Sequence, residues 1–419
     1  MTSIILNKRQ QLVYTLITQG KNVFITGGGG VGKSEVVKSF YNQYKNNKII
    51  AITSTTGASA LLIGGTTLHS YLGIGLGTSS VDILSKKIVK RPYLRNRWRD
   101  LQILFIDEVS MLSPELFDKI NEIAKIVRRI DLPFGGIQIV LSGDFCQLPC
   151  VNSCNFCFES KSWSEFDFQI VELNEIIRQK NIDFQNCLNE IRMGNVSNNT
   201  KKLLETRINK SLTNDLGIEP TKLYPLNYKV ESVNNKRLNK LLKSTKEVFE
   251  YDLDIEEKKK NLNTDKLLKN CNAVQNLKLT KGCQVMLICN LDIDSGLVNG
   301  SRGVVSDFVE SIPVVTFLNG EKRVIDYHEW EIKENDKKVA SIFQIPLKLG
   351  YAFSIHKSQG CTLDYVIVDL RNIFEYGMGY VALSRVKNLD GLSIVKSIDW
   401  NKINIHPKAL QFYKNIKND

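Results

Sequence analysis

Short apolar runs alternate with amphipathic stretches over the first part of the chain. Runs with the pattern of buried strands occur at Asn22–Thr26, Lys48–Ser54, Leu101–Met111 and Ile137–Leu141. Leu6–Ile17 has helical periodicity, and a second helix is predicted over Ser34–Lys45. Strands that alternate with helices indicate an α/β fold, in which ligands bind at the carboxyl ends of the parallel strands.

The pattern changes between Leu277 and Glu331, where short alternating runs are separated by turns that contain Gly or Asn. Asn319-Gly320 is a typical hairpin turn, and strands at this spacing predict a small β-barrel. The preceding segment, Val230–Asn276, is rich in Lys and Asn, so we expect a solvated, partly flexible connector that begins as a helix. Pro346–Leu370 returns to the α/β pattern.

Length and charge narrow the class of protein. The 419 residues are enough for two or three domains, and the net charge of +12 favours a polyanionic partner, most often a nucleic acid. A merely solubilising lysine surface remains an alternative. The first residues lack the long apolar core of a signal peptide, and no apolar run reaches membrane-spanning length. We therefore expect an intracellular protein of the cytosol, the nucleus or a viral compartment.

A phosphate-binding loop follows the first predicted strand. The pattern is Gly-x-x-x-x-Gly-Lys-Ser, and its members are Gly27, Gly28, Gly29, Gly30, Val31, Gly32, Lys33 and Ser34. The glycines allow backbone N–H groups to converge on an anion, Lys33 can reach the β- and γ-phosphates, and the Ser34 hydroxyl can bind Mg²⁺. A glycine-rich turn with a chance Lys-Ser is the alternative, which the preceding strand and following helix disfavour.

Polar residues at two later strand ends suit the same chemistry. Asp107 would hold Mg²⁺ through its outer sphere, and Glu108 would orient and deprotonate the attacking water. Gln147 follows the Ile137–Leu141 strand and would sense the γ-phosphate or position the water. A purely structural pair of acids is the alternative for Asp107 and Glu108.

Three more residues are candidates for the nucleotide site. Arg178 and Arg385 each follow an apolar run and would neutralise charge on the γ-phosphoryl group. Gln10 could donate to and accept from an adenine edge. The alternative for each arginine is a surface or salt-bridging role, and the alternative for Gln10 is a surface glutamine without a ligand.

Ser79–Arg99 is densely basic. Its cations are Lys86, Lys87, Lys90, Arg91, Arg95, Arg97 and Arg99. Tyr93 and Trp98 lie among them, and basic residues with stackable aromatic rings are typical of a nucleic-acid surface. A solvated helical face is the alternative.

Four of the nine cysteines are clustered, and their spacing raises the question of a zinc site. They are Cys146, Cys150, Cys154 and Cys157. The spacing lacks two paired C-x-x-C motifs, so we expect reduced, largely buried thiols, with metal binding as the alternative.

Taken in order, several segments resemble the Pif-one branch of superfamily-one, group B DNA helicases, which is related to RecD and Dda. These segments are Leu6–Gln10, Gly27–Ser34, Thr53–Ala60, Gly64–Gly77, Ile106–Leu112, Pro133–Pro149, Asn174–Gln179, Tyr351–Asp364 and Tyr380–Arg385. The resemblance covers most of the chain.

The resemblance implies an α/β fold with two RecA-like P-loop domains, each a parallel sheet flanked by helices, and a small Src-homology-like β-barrel insert. ATP would bind between the RecA-like domains, with single-stranded DNA across their top. The implied boundaries are 1–172 for the first domain with a basic wedge at about 78–98, 173–275 and 346–419 for the second, and 276–345 for the insert.

The resemblance also implies residue roles. Lys33, Ser34, Asp107, Glu108, Gln147, Arg178 and Arg385 would act in ATP hydrolysis; Gln10 would read adenine, and Gly360 is assigned to the nucleotide site as well. The residues assigned to the DNA path are Thr55, His69, Arg97, Asn299, His356 and Lys357. Translocation would run 5′ to 3′.

The chain departs from the family pattern at three positions. Val31 replaces a common Thr, and Cys146 and Cys150 replace an apolar residue and a second Pro. No long terminal extension is present, so a bare helicase core is expected.

The predicted function is an ATP- and Mg²⁺-dependent DNA helicase. We expect it to be monomeric and to act on single-stranded and forked DNA without contacting a membrane, with replication or repair proteins as further partners. Two alternatives remain: a translocase or remodeller that does not separate strands, and a P-loop ATPase switch that binds an acidic protein.

Overall fold

The structure is a computed structural model that describes residues 6–150, 155–213, 218–245, 247–257, 273–292, 295–334 and 337–416. The chain forms two compact units. Unit 1 comprises the described residues of Met1–Thr200, Glu375–Ser384 and Trp400–Asp419, and unit 2 those of Lys201–Phe374 and Arg385–Asp399. Among the helices that the structure describes, none is long and apolar enough to span a membrane.

The helices are numbered in chain order. They are α1 (Lys8–Thr18), α2 (Lys33–Tyr44), α3 (Gly57–Leu62), α4 (Leu68–Leu72), α5 (Val81–Val89), α6 (Pro92–Asp100), α7 (Pro114–Arg128), α8 (Lys161–Ser164), α9 (Ile182–Arg192), α10 (Asn198–Glu205), α11 (Asn227–Leu242), α12 (Met378–Leu383) and α13 (Pro407–Ile416).

The strands are numbered in the same way. They are β1 (Val23–Thr26), β2 (Ile50–Ser54), β3 (Thr66–Thr67), β4 (Ile103–Asp107), β5 (Gln138–Ser142), β6 (Gln169–Glu172), β7 (Thr221–Tyr224), β8 (Phe249–Asp252), β9 (Asp254–Glu257), β10 (Asn276–Leu279), β11 (Gln284–Leu287), β12 (Arg302–Val309), β13 (Ile312–Phe317), β14 (Lys322–Val324), β15 (His328–Glu334), β16 (Lys337–Gln344), β17 (Leu347–Leu349), β18 (Ala352–Ser354), β19 (Val366–Val368) and β20 (Leu392–Ile394).

Unit 1 is built on a six-stranded sheet in the order β3-β2-β4-β5-β1-β6, with every pairing parallel. The strands β1 and β4 are buried along their whole length, which explains why their sequences are continuous apolar runs rather than alternating ones. One core cluster joins the strands to α1 and α2 through Val13, Ile17 and Phe40. Five loops leave the sheet at the carboxyl ends of β1, β2, β4, β5 and β6, the edge where open α/β sheets bind ligands.

The basic segment Ser79–Arg99 forms α5 and α6. Ser80 caps α5 by accepting a hydrogen bond from the N–H of Ile83, and Pro92 lies in the first turn of α6. The prediction that Trp98 is available for stacking is wrong. Trp98 is 1% exposed, and its indole N–H donates to the Leu72 carbonyl. Leu94 and Trp98 lie one turn apart and form the buried face of α6, which leaves the arginines on the other faces.

Unit 2 contains a four-stranded parallel sheet in the order β18-β7-β19-β20 and, between its strands in sequence, antiparallel sheets. The largest of these, β14-β13-β12-β11-β17, has its own core around Val285, Val305 and Val315. The hairpin predicted at Asn319-Gly320 is confirmed, because β13 and β14 pair antiparallel across it.

The expectation of a solvated connector over Val230–Asn276 is only partly right. After α11, the chain forms β8, which pairs with β10, and β9, which pairs with β16. Both pairings are antiparallel and join segments that are distant in sequence, so local composition did not reveal them. The remaining part of that segment, 258–272, lies outside the described residues.

Candidate active site

The loop after β1 turns tightly under the first turn of α2. Gly27 and Gly30 have φ values of +130° and +83°, which residues with a β-carbon rarely adopt. A β-carbon at Gly27 would lie 2.2 Å from the carbonyl oxygen of Leu173, and one at Gly30 would lie 2.5 Å from Cβ of Arg178. The glycines are therefore required by the close approach of the segment that follows β6.

Lys33 is folded back over this loop. Its Nζ donates to the carbonyl oxygens of Gly27 at 2.8 Å and Gly28 at 2.9 Å. Burial lowers the pKa of Lys33, and the carboxylates of Asp144, Glu108 and Asp107 oppose that shift. The charges of three acids thus favour the ammonium form, which can exchange its carbonyl partners for phosphate oxygens.

Asp107 and Ser34 meet at the carboxyl end of β4. Burial raises the pKa of Asp107, whereas the nearby hydroxyls of Ser142 and Ser34, the backbone at Glu108 and the charge of Lys33 lower it. A buried carboxylate in contact with a serine hydroxyl supplies the hard oxygen ligands that Mg²⁺ prefers. The residues present therefore fit a hydrated Mg²⁺ ion, with Ser34 and Asp107 as the groups that would hold it.

Glu108 follows at a special backbone position, with a φ of +55°. The hydroxyl of Thr55 donates to the Glu108 carbonyl at 2.9 Å, and the Thr55 N–H donates to the Asp107 carbonyl at 3.2 Å. These bonds fix the loop after β2 to the two acids. They place Thr55, predicted to contact DNA, beside residues predicted to act in hydrolysis.

Gln147 is buried in the loop after β5. Its backbone N–H donates to the carbonyl of Asp144 at 3.0 Å, and its side-chain Oε1 is buried without a hydrogen-bond partner among the described residues. A buried amide oxygen without a donor is costly, so it is suited to accept from a bound water or ligand. Gly143 of the same loop packs on Val109, next to Glu108.

The segment after β6 and the segment Glu375–Ser384 both reach the phosphate loop. The backbone N–H of Arg178 donates to the Gly30 carbonyl at 3.1 Å, and its guanidinium donates to the Ser384 carbonyl at 3.0 Å. The Tyr380 hydroxyl accepts a 2.9 Å hydrogen bond from the N–H of Gly29. Sequence reasoning missed Tyr380, although it opens the Tyr380–Arg385 motif.

Gln10 lies against the same loop. Its Oε1 accepts from the N–H of Asn7 in a capping box at the start of α1, and its Nε2 approaches the Gly32 carbonyl at 3.4 Å. The amide therefore helps to place α1 beside the phosphate loop. Its role in reading adenine stays a prediction.

A buried polar cluster lies behind the phosphate loop and was not predicted. Arg192 donates to Asp144 at 3.0 Å and to Glu172 at 2.9 Å, and its guanidinium lies 4.7 Å over the ring of Tyr413. Asp144 falls within the Pro133–Pro149 motif, and this was the only feature of the sequence that pointed to the cluster. Nothing in the sequence marked Arg192 or Tyr413, because each lies on an ordinary amphipathic helix.

Two of the predicted DNA contacts in unit 1 lie on neighbouring helices. His69 is on α4, and burial lowers its pKa. Arg97 is on α6; it donates to the Tyr71 carbonyl at 3.1 Å and lies 5.1 Å over the Tyr71 ring. Their contact with DNA stays a prediction.

Five predicted site residues belong to unit 2. Arg385 is 2% exposed and lies just after the end of α12, so the sequence-based expectation that it follows an apolar run is confirmed. The ring of His356 stacks on that of Phe374, and Lys357 is exposed.

Gly360 has a φ of +80°. The next residue, Cys361, lies close to the Asn299-Gly300 turn. The turn that carries Asn299 therefore lies near the His356–Cys361 segment.

Unit 2 also contains a cavity of about 570 Å³ that sequence reasoning missed. It is lined in part by Lys348, Lys357, Phe353, Lys278 and Glu231. Lys348 Nζ lies 4.7 Å over the Phe353 ring, and burial lowers the pKa of this lysine to about 8.

The cysteine cluster is only partly described. Cys146 and Cys157 are buried, and Cys150 is half-buried; burial raises the pKa of all three thiols. Cys154 lies outside the described residues. Within the described ranges, no group of three His, Cys, Asp or Glu side chains is placed to share a metal ion.

Comparisons with known proteins agree with this geometry. The family model for PIF1-like helicases matches residues 5–202, and the model for the 2B domain of the DNA helicase Pif1 matches residues 262–308. The ATP-dependent DNA helicase PIF1 of Xenopus laevis is 40% identical over 99% of this chain. The match covers 65% of that relative, so this chain spans less than two thirds of its length.

Solved structures confirm the predicted fold class, two RecA-like domains with an additional β insert. The crystal structure of the Pif1 helicase from Candida albicans superimposes with a TM-score of 0.84 at 38% identity, covering 99% of this chain and 100% of that one. The Bacteroides Pif1 in complex with ADP-AlF3 and single-stranded DNA has a TM-score of 0.71 at 29% identity, covering 99% and 98%. The chain therefore belongs to the PIF1-like helicase family.

Proposed function

We propose that this protein is an ATP-dependent DNA helicase that moves along single-stranded DNA and unwinds duplex DNA. The observation that carries the proposal is the carboxyl edge of the unit 1 sheet. There the phosphate loop, the Ser34–Asp107 contact and the buried, unpartnered Oε1 of Gln147 occur together in a chain of the PIF1-like family. The Xenopus laevis relative is an ATP-dependent DNA helicase, and the Bacteroides Pif1 helicase was solved with single-stranded DNA and ADP-AlF3.

The chain's own residues would divide the work of hydrolysis. Backbone N–H groups of the phosphate loop would bind the phosphates, and Lys33 would leave the Gly27 and Gly28 carbonyls to neutralise the β- and γ-oxygens. Glu108 would accept a proton from the attacking water, which Gln147 would orient through Oε1. Arg178 and Arg385 would stabilise the charge that grows on the γ-phosphoryl group.

Mg²⁺ is the expected cofactor, held by Ser34 and Asp107. When bound there, it would neutralise part of the charge on the β- and γ-phosphates. The support is the donor set itself, a serine hydroxyl in contact with a buried carboxylate.

The DNA strand would contact Thr55, His69, Arg97, Asn299, His356 and Lys357, with translocation from 5′ to 3′. Support for the path comes from two neighbourhoods, one within each unit. Thr55 bonds to the carbonyl of Glu108, so strand binding and hydrolysis share a loop. The Asn299-Gly300 turn packs near Cys361, on the segment that also carries His356.

The proposal includes the domain boundaries: 1–172 for the first RecA-like domain, with a basic wedge at about 78–98, 173–275 and 346–419 for the second, and 276–345 for the β-barrel insert. We expect the protein to be a monomer and to be located inside the cell. It would act on single-stranded and forked DNA, with replication or repair proteins as partners. The net charge of +12 supports the nucleic-acid partner.

Unwinding of matched duplexes with a 5′ or a 3′ tail, with ATP and Mg²⁺, tests the proposal. We expect strand separation on the 5′-tailed duplex only, and ATP hydrolysis that rises when single-stranded DNA is added. Hydrolysis stimulated by DNA without strand separation would indicate a translocase. Hydrolysis indifferent to DNA would contradict the helicase and favour a P-loop switch.

A further inference from the structure

Tyr413 on α13 connects two segments of the nucleotide site that are far from it in sequence. The side chain is 1% exposed, and its Oη lies 2.6 Å from the hydroxyl oxygen of Thr26, the residue before the phosphate loop. The same Oη accepts from the N–H of Phe145 at 3.1 Å and lies 3.2 Å from Oδ1 of Asp144. One hydroxyl therefore joins the end of β1 to the loop that carries Gln147.

Chemistry assigns the direction of each bond. The Phe145 N–H can only donate, and an Asp144 carboxylate paired with an arginine can only accept. The single proton of Tyr413 therefore goes to Asp144, and Thr26 must donate its own proton to Oη. Burial, followed by the charge of Asp144, raises the pKa of Tyr413 well above its usual range, so the proton stays on the hydroxyl.

Asp144 is held from its other side by Arg192. Arg192 Nε donates to Oδ2 of Asp144 at 3.0 Å, and Nη1 donates to Glu172 at the end of β6 at 2.9 Å. Glu172 directly precedes Leu173, whose carbonyl closes on Gly27. The cluster thus ties together the carboxyl ends of β1, β5 and β6, the three neighbouring strands whose loops hold the phosphate loop, Gln147 and Arg178.

We propose that Tyr413 is a positioning residue for ATP hydrolysis. Through Asp144 and Phe145, it holds the loop of Gln147 at a fixed place relative to the phosphate loop. The inference rests on the proposed function and adds to it a residue of the last described helix. Its role concerns the transition state, because Gln147 would orient the attacking water, whereas the phosphate loop would bind ATP and ADP alike.

The test compares Tyr413→Phe with the wild-type chain in two binding measurements and one kinetic one. The dissociation constants of ADP and of ADP–aluminium fluoride, a transition-state analogue, are measured with Mg²⁺ and single-stranded DNA. ATP hydrolysis is measured under the same conditions. We expect affinity for the analogue and kcat to fall about 10-fold, while affinity for ADP and KM for ATP change less than about 2-fold.

A matched control is Tyr376→Phe, which deletes a hydroxyl from an exposed tyrosine of the same unit. It should behave as wild type. Thr26→Val removes one partner of Tyr413 Oη and is the milder variant if Tyr413→Phe folds poorly. Thr26→Val should show the same selective loss, and Thr26→Ser, which keeps the hydroxyl, should restore wild-type values.

A double-mutant cycle separates positioning from a structural role. If Tyr413 acts through Gln147, the loss caused by Tyr413→Phe should disappear in a Gln147→Ala background, whereas independent effects would multiply. Three results would overturn the inference: equal losses of affinity for ADP and for the analogue, a lower melting temperature with normal kcat, or effects of the two substitutions that multiply.

Failure of the wild-type chain to hydrolyse ATP with DNA would instead count against the proposed function. In that case, the affinity of Tyr413→Phe for the analogue relative to ADP would still decide the role of Tyr413.

Discussion

Replacing Lys348 by methionine should stabilise the protein near neutral pH. The lysine lies on β17 in the cavity of unit 2, where burial lowers its pKa from 10.5 to about 8. The other charged groups on the cavity wall are Lys357, Lys278 and Glu231, and Cys361 is also near. Lys357 disfavours the charged form of Lys348, and the Phe353 ring offsets only part of this cost.

The magnitude follows from the two pKa values. Because the folded pKa is lower than the unfolded one, the unfolded chain binds more protons between about pH 8 and 10.5. Lys348 therefore makes the free energy of unfolding increase with pH across that window. The full difference corresponds to about 3 kcal/mol, and partial exposure of the side chain reduces the expected effect to about 1–3 kcal/mol.

Urea unfolding of the wild type and Lys348→Met at about pH 7 and about pH 10 measures this effect. The variant should be more stable at the lower pH, and its advantage should shrink toward zero at the higher pH. Lys278→Met is the control, since it removes a lysine of the same cavity that forms an exposed ion pair with Glu250 at 2.8 Å. It should lower stability by less than about 1 kcal/mol. An advantage of Lys348→Met that does not depend on pH would refute the reasoning.

Three further predictions concern the nucleotide site and the DNA. Lys33→Ala should lower ATP hydrolysis at least about 100-fold, since it removes the cation of the phosphate loop, while DNA binding measured by fluorescence anisotropy stays within a few-fold; equal loss of both would contradict its assignment. Arg192→Leu should lower the free energy of unfolding by about 3–5 kcal/mol, because it leaves the buried Asp144 and the half-buried Glu172 without a cation. Lys125→Met, which removes a surface ion pair, should cost less than about 1 kcal/mol in the same urea titration. At a subsaturating concentration of single-stranded DNA, the rate of ATP hydrolysis should fall as the salt concentration rises. The logarithm of the DNA-binding constant should fall by about 0.7 per phosphate contact for each tenfold increase in salt. A rate that does not depend on salt would contradict binding through the DNA phosphates.

Local patterns were enough to predict the phosphate loop and the acids. The loop after β1 is specified by a strand, a glycine pattern and a helix within a few tens of residues, and Asp107 stands at the end of a continuous apolar run. The carboxyl ends of parallel strands share one edge, so the meeting of Ser34 with Asp107 followed from topology.

The features that were missed depend on contacts distant in sequence. Thr26 and Tyr413 are 387 residues apart, and β9 forms only because β16 supplies a partner. Burial of Trp98 depends on which face of α6 packs against the neighbouring helices α5 and α7, and the basic composition of the segment obscured that face. Lys348 resembles any strand lysine in sequence, and only packing around Phe353 makes it unusual.

Unit 1 is assembled from the first and the last stretches of the chain, and this imposes an order on its synthesis. A ribosome that has just made residue 200 must still add the whole of unit 2 before α13 emerges, which takes roughly 10–40 s at typical elongation rates. During that interval the nascent N-terminal part carries Asp144 and Arg192 without Tyr413, and the aromatic surface around Phe145 and Phe158 lacks its cover from Phe412. Unit 1 is thus completed only after α13 has been translated, and until then the incomplete chain exposes apolar surface of the kind that promotes aggregation.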